Sequence, residues 1–166
     1  MAPRSPVRYD LDDLFRDHPD WFARETVPHL LTWLRDVKSP ATFRLQGDGA
    51  AEMRLDLHWS TTSLETRIPG LADEVLRLTE GRSVRIEQTP QYGAYALAGV
   101  VAAAVLKKRV LVLRMGLPPD LLFDSSPGAL RGIEVAGRSH KGLPGLRALA
   151  EGKSADLLRD PDVAEG

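Results

Sequence analysis

The longest apolar stretch of the chain runs from Ala94 to Leu106 and stops at Lys107-Lys108-Arg109. A membrane-spanning helix needs ~20 such residues, so this shorter stretch predicts a buried core helix instead. Thr89-Pro90 supplies an N-cap residue and a first-turn proline, which predicts that the helix begins near Gln91. Because the helix is apolar nearly all round, the rest of the chain has to cover it.

The composition is that of a soluble globular protein with one domain, or with a small module joined to another. The chain has 166 residues, of which 43% are hydrophobic and 27% charged, and a net charge of −1. This charge excludes a generally basic nucleic-acid coat and leaves a local patch open. The absence of Cys excludes disulfides, Cys-ligated zinc and thiol nucleophiles. Arg outnumbers Lys 17 to 5 and Asn is absent, which is typical of high-GC bacterial coding.

The N-terminal segment lacks the apolar core of a secretory signal, because Tyr9-Asp10-Leu11-Asp12-Asp13 follows the first basic residue. We therefore expect a cytoplasmic protein that does not associate with a membrane.

Residues 1–88 predict an N-terminal α+β part. Residues 42–46 and 52–59 alternate apolar and polar side chains around Gly47-Asp48-Gly49, which predicts a β-hairpin over 42–59. We expect a helix from Asp20 that Pro28 breaks or kinks, and a short amphipathic helix over 69–80 that Gly81 ends. The hairpin residues expected to face inward are Phe43, Leu45, Leu55 and Leu57.

Residues 89–166 predict a second part, with the boundary near Gln88 unless both parts form one compact unit. After the apolar helix come strands at 110–113, from Asp120 and at 130–137, and then a helix over 142–158. This order of helix, three strands and helix predicts an α+β or α/β fold with a small central sheet. We expect strand 110–113 to be fully buried. The residues expected to be nearly buried are Leu97, Val100, Val101, Val105, Leu111 and Leu113.

A pair of acids in this second part is the strongest chemical signal. Asp120 opens one predicted strand, and Glu134 lies in the middle of the next. Two carboxylates on neighbouring antiparallel strands can converge on one hard cation, which prefers oxygen ligands. Such a cation lowers the pKa of bound water and neutralises charge on a phosphodiester. Strand alternation also places Glu134, Ala136 and Arg138 on one face.

With this order of elements and this acid pair, residues 90–158 resemble the PD-(D/E)xK nuclease-like superfamily, which has the restriction-endonuclease-like fold. The resemblance implies that Asp120 and Glu134 hold Mg²⁺ and that the reaction is phosphodiester hydrolysis. The family places a lysine two residues after the second acid, where this chain has Ala136. Arg138 and Lys141 are then the candidate cations for the phosphate. The family's further strand after the second helix is not evident, which is typical of a truncated or degenerate version.

Three functions remain open, and with them the question whether the chain is an enzyme. The missing lysine favours a degenerate, non-catalytic domain without a cofactor, serving as a nucleic-acid-binding or assembly subunit of a bacterial system. The surviving acids favour an active Mg²⁺-dependent nuclease that cleaves DNA or RNA. The third candidate is an unrelated structural or adaptor protein, with Trp21, Phe22 and Trp33 at an interface with a protein partner or a second copy of the chain.

Overall fold

The protein has a mixed α+β fold, as the sequence predicted. The computed structural model describes residues 5–45, 52–82, 88–114, 119–126, 129–133 and 135. Within these ranges it contains five α-helices and two three-stranded sheets. The helices are α1 (Leu14–Asp17), α2 (Asp20–Leu34), α3 (Thr61–Arg67), α4 (Leu71–Thr79) and α5 (Thr89–Val101). The strands are β1 (Val7–Asp10), β2 (Ala41–Leu45), β3 (Met53–His58), β4 (Val110–Leu113), β5 (Leu121–Ser126) and β6 (Ala129–Ile133). A single 3₁₀ turn (Leu11–Asp13) precedes α1, and a π-helical turn (Ala102–Leu106) continues α5.

The first sheet contains the predicted hairpin and has the strand order β1-β3-β2. Strands β2 and β3 are antiparallel and pair Phe43 with Leu55, whereas β1 runs parallel to β3. Leu55 and Leu57 are fully buried, and Phe43 and Leu45 are partly buried against the same core, as their alternation predicted. The predicted turn at Gly47-Asp48-Gly49 lies outside the described residues.

Helices α2 and α5 pack against each other and form the centre of the core. Of the two alternatives predicted for Pro28, a break or a kink, the break is wrong, because the helix continues through Pro28 to Leu34. Glycines of α5 allow the close approach: a Cβ atom at Gly93 would lie 3.0 Å from the Trp33 ring, and one at Gly99 would lie 2.5 Å from the Phe22 ring. The buried cluster includes side chains from both sides of Gln88, so residues of the two predicted parts share one core.

The second sheet is an antiparallel meander with the order β4-β5-β6. The predicted burial of β4 is wrong in its central residues: Leu111 is 42% exposed and Val112 41% exposed. Strand β4 is an edge strand with a bulge between Val110 and Val112, and a bulge leaves its extra residue without a partner. Only Val110 of this strand is fully buried. Of the other predicted core residues, Val100 is fully buried, whereas Leu97, Val101, Val105 and Leu113 are only partly buried.

Helix α5 and its π-helical turn confirm the predicted apolar helix. Together they form one helix over Thr89–Leu106 that is long and apolar enough to cross a membrane by length and composition alone, and 56% of it is buried inside the protein. A buried core helix passes the same test, so this feature is weak evidence for a membrane segment.

Candidate functional site

Asp120, the first of the predicted acids, lies directly before β5 and is 5% exposed. Each of its carboxylate oxygens accepts a hydrogen bond from the protein. The Tyr95 hydroxyl donates to Oδ1 over 3.0 Å, and the Val135 backbone N–H donates to Oδ2 over 2.8 Å. Burying a carboxylate is costly unless its oxygens receive such bonds, so these two donors explain how Asp120 is held inside.

Pairing between β4 and β5 fixes the backbone of Asp120. The Arg114 N–H donates to the Asp120 carbonyl over 2.7 Å, which continues the β4–β5 pairing beyond Leu113 and Leu121. Asp120 therefore follows the register of the sheet, and its side chain is directed to α5 and to the chain after β6.

Tyr95 links Asp120 to the surface of α5. Its hydroxyl accepts a hydrogen bond from the Gln91 side-chain amide one turn earlier and donates to Asp120. Gln91 is exposed and Tyr95 is buried, so the chain of hydrogen bonds runs from solvent into the core. Tyr95 was not among the residues predicted from the sequence, although a tyrosine in a largely apolar helix is a signal for a buried polar partner.

A second buried polar contact lies beside this one, between α2 and α5. Nδ1 of His29 lies 3.0 Å from the Thr89 hydroxyl, and the ring of Tyr92 packs against both His29 and Tyr95, with centroids 5.1 and 5.7 Å apart. These contacts join the start of α5 to the middle of α2. They place polar and aromatic side chains between the two helices, in contact with Tyr95.

The described surroundings of Asp120 do not fit a magnesium ligand. Mg²⁺ demands near-ideal octahedral geometry and usually keeps several waters, so its carboxylate ligand needs an open face. Both oxygens of Asp120 already accept protein donors, and the residue is almost completely enclosed. Among the residues that the structure describes, no group of three or more His, Cys, Asp or Glu side chains could hold a metal ion. Glu134, Arg138 and Lys141, the other predicted site residues, lie outside the described residues, as does Ala136.

The three aromatic residues considered for an interface differ in how far they are exposed. Phe22 is fully buried, Trp33 is partly buried against the core, and Trp21 is 42% exposed. Phe22 is therefore a core residue and is not available to a partner.

Comparisons of the chain with family models, with curated proteins and with solved structures found no match. The candidate function therefore rests on Asp120 and on the charged surfaces of the described residues.

Proposed function

We propose that the chain is a non-catalytic relative of the PD-(D/E)xK nuclease-like superfamily that serves as a nucleic-acid-binding or assembly subunit. The order of elements supports the relationship: α5 is followed by a three-stranded antiparallel sheet with β5 in its centre. Asp120 stands directly before that second strand, the place that the superfamily gives to its first acid. Val135, whose N–H reaches the Asp120 carboxylate, is the next residue after Glu134 in the sequence.

The buried carboxylate of Asp120 is the observation that carries the non-catalytic assignment. An acid that holds a catalytic cation needs lone pairs directed at the ion and room for the water that attacks. Asp120 instead joins α5 to the residue after Glu134 by accepting hydrogen bonds from Tyr95 and Val135. In this proposal, the acid of an ancestral nuclease site is retained because its hydrogen bonds stabilise the fold.

Nuclease assays test the absence of catalysis directly. The purified chain is incubated with plasmid DNA and with RNA in Mg²⁺ or Mn²⁺, and we expect no cleavage above that of a mock preparation. Cleavage that requires the metal and disappears in both Asp120→Asn and Glu134→Gln would overturn the proposal. That result would establish the alternative, an active nuclease with both acids as metal ligands.

Thermodynamic stability tests the structural role of Asp120. In Asp120→Asn the charged acceptor is lost, and an amide N–H has to face the Tyr95 hydroxyl, which must then reorient, or the Val135 N–H, which then loses its acceptor. We expect the free energy of unfolding in urea to fall by ~1–3 kcal/mol. Asp36→Asn is the matched control, because Asp36 is exposed and bonded only to the neighbouring Arg35 among the described residues. Equal stability of the two variants would contradict a structural Asp120.

A further inference from the structure

A cleft of about 360 Å³ opens between α1 and the turn that leads from the π-helical turn into β4. Four of the six residues that line it carry positive charge, in a chain whose net charge is −1. Its volume falls within the ~300–1,000 Å³ range of small-ligand sites. The lining residues are Arg16, Asp17, Ala103, Lys107, Lys108 and Arg109.

His18 holds the two walls of this cleft together. Its Nδ1 accepts the Val110 N–H over 3.0 Å, and its Nε2 lies 2.8 Å from the Gly99 carbonyl. Because Val110 N–H can only donate and the carbonyl can only accept, the ring is the neutral tautomer with its proton on Nε2. His18 therefore fixes the end of α1, which carries Arg16, against the start of β4, which follows Arg109.

The cationic turn itself has a defined backbone. The Lys107 N–H donates to the Ala102 carbonyl and closes the π-helical turn, and the Lys108 N–H donates to the same carbonyl over 2.8 Å. Lys107 has a φ of 56°, the left-handed region that L side chains rarely adopt. Strained non-glycine residues and π-helical turns both concentrate at functional sites. The lysines also complement the dipole at the C-terminal end of the helix, and Arg16 of α1 pairs with Asp13 and Asp17.

The acids at the cleft, Asp13 and Asp17, pair with Arg16, so the cationic character of the cleft comes from the turn that carries Lys107 and Arg109. Burial raises the pKa of Asp17, but hydrogen bonds from Arg16 and Tyr9 outweigh this effect and hold the pKa below its usual range. The Asp17 carboxylate is therefore charged and already bonded to these two partners. Within the described part of the chain, neither Lys107 nor Arg109 forms an ion pair with a carboxylate, and both are exposed.

We propose that this cleft binds phosphate, and that its ligand is the phosphate backbone of a nucleic acid. Clustered Lys and Arg side chains bind phosphate oxygens through charge-assisted hydrogen bonds. When such side chains neutralise several phosphates of a nucleic acid, the counterions condensed on those phosphates are released. The identity of the phosphate source rests on the proposed function, whereas phosphate binding rests on the cleft alone. The cleft is separate from Asp120, which contacts α5 through Tyr95.

Binding to a fluorescein-labelled DNA duplex, measured by anisotropy over a series of salt concentrations, tests the proposal. The variant Lys107→Gln/Arg109→Gln removes two cleft charges, and Lys38→Gln/Arg44→Gln removes two exposed charges outside the cleft as the matched control. We expect the cleft variant to bind about tenfold more weakly at low salt. The slope of log Kobs against log salt concentration should fall by about 1.8, at about 0.9 for each lost phosphate contact. The control should keep the affinity and slope of the parent.

A second arm uses inorganic pyrophosphate and calorimetry to separate the two sources of phosphate. DNA binding that weakens equally in the cleft and control variants would overturn the cleft proposal and leave nucleic-acid binding intact. Pyrophosphate binding that depends on Lys107 and Arg109, without DNA binding by the parent, would support a phosphate cleft and overturn the nucleic-acid source. If neither ligand binds the parent, the cleft proposal is wrong, while the nuclease assay still decides whether the domain is non-catalytic. Matching unfolding curves of the variants ensure that a loss of binding is not a loss of fold.

Discussion

Of Gly93 and Gly99, the two glycines of α5 that lie against side chains of α2, Gly99 leaves less space for a Cβ atom, and Gly99→Ala tests this packing. A Cβ atom there would lie 2.5 Å from Cε1 and 3.0 Å from Cζ of Phe22. The Phe22 ring has little freedom to retreat, because it is fully buried and packed edge-on by His18 and Trp21, with centroids 5.4 and 5.9 Å away. The substitution therefore has to move a rigid ring or separate the two helices.

Two opposing contributions set the size of the effect. Replacing Gly by Ala inside a helix favours folding by ~1 kcal/mol, and overpacking a well-packed core costs ~1–3 kcal/mol. The cost at Gly99 belongs to the upper end of that range, because both clashing atoms belong to one buried ring and His18 Cδ2 lies 3.5 Å from the same Cβ position. We expect a net loss of ~1–2 kcal/mol in the free energy of unfolding.

Urea unfolding of Gly99→Ala and of Gly93→Ala gives the measurement and its control. At Gly93 the nearest atoms belong to Trp33, 3.0 Å away, and this partly exposed indole can shift towards solvent. Gly93→Ala should therefore be close to neutral. Phe22→Leu removes the clashing ring edge, so the double variant with Gly99→Ala should be more stable than the sum of the single effects predicts. A Gly99→Ala protein as stable as the parent would refute this account of the α2–α5 contact.

Two further predictions concern His18 and β4. Burial, together with the charge of Arg109, lowers the pKa of His18 below its ordinary value. The Gly99 carbonyl and Asp17 act in the opposite direction but do not outweigh burial. The unfolded chain therefore binds the proton more readily, and urea unfolding should show stability falling as the pH drops below about 6.5, by up to ~1.4 kcal/mol per pH unit. His18→Asn should flatten this dependence, and an unchanged slope would contradict it. In β4, Val110→Ala should cost ~2 kcal/mol in thermal or urea unfolding, and Leu111→Ala less than half as much because Leu111 is 42% exposed. The reverse order would place Leu111 in the core.

Local patterns were sufficient to predict the elements whose neighbours in space are also neighbours in sequence. The hairpin of β2 and β3 follows from alternation around a glycine turn, and its register pairs Phe43 with Leu55. Helix α4 follows from its apolar spacing, and Gly81, with a φ of 68°, follows its C-terminal end as predicted. Asp10 caps the first helical turn by accepting a hydrogen bond from the Asp12 N–H at its Oδ1, and an Asp before an apolar residue is a local signal for such a cap.

Features that depend on distant contacts were missed. Strand β1 is short and polar in half of its residues, and it pairs in parallel with β3, a partner almost fifty positions away. The composition of β4 predicts burial, but its position at the edge of the sheet and its bulge expose Leu111 and Val112. A sequence pattern describes the apolar side chains of a strand without stating how many neighbours the strand will have.

Asp120 and His18 are buried polar residues whose hydrogen-bond partners lie far away in the sequence. By residue type Asp is mostly exposed and His is intermediate, yet each of these two residues is buried because it bonds to α5 and to one other segment. Asp120 connects Tyr95 to Val135, and His18 connects Gly99 to Val110. Tyr95 and Gly99 are one helical turn apart, so these two residues attach the same stretch of α5 to both ends of the β4–β6 region. An acid at the start of a strand can serve as a metal ligand only if its oxygens are available. Tyr95 and Val135, 25 and 15 positions away, each donate to one of those oxygens, and spacing within the motif carries no information about these donors.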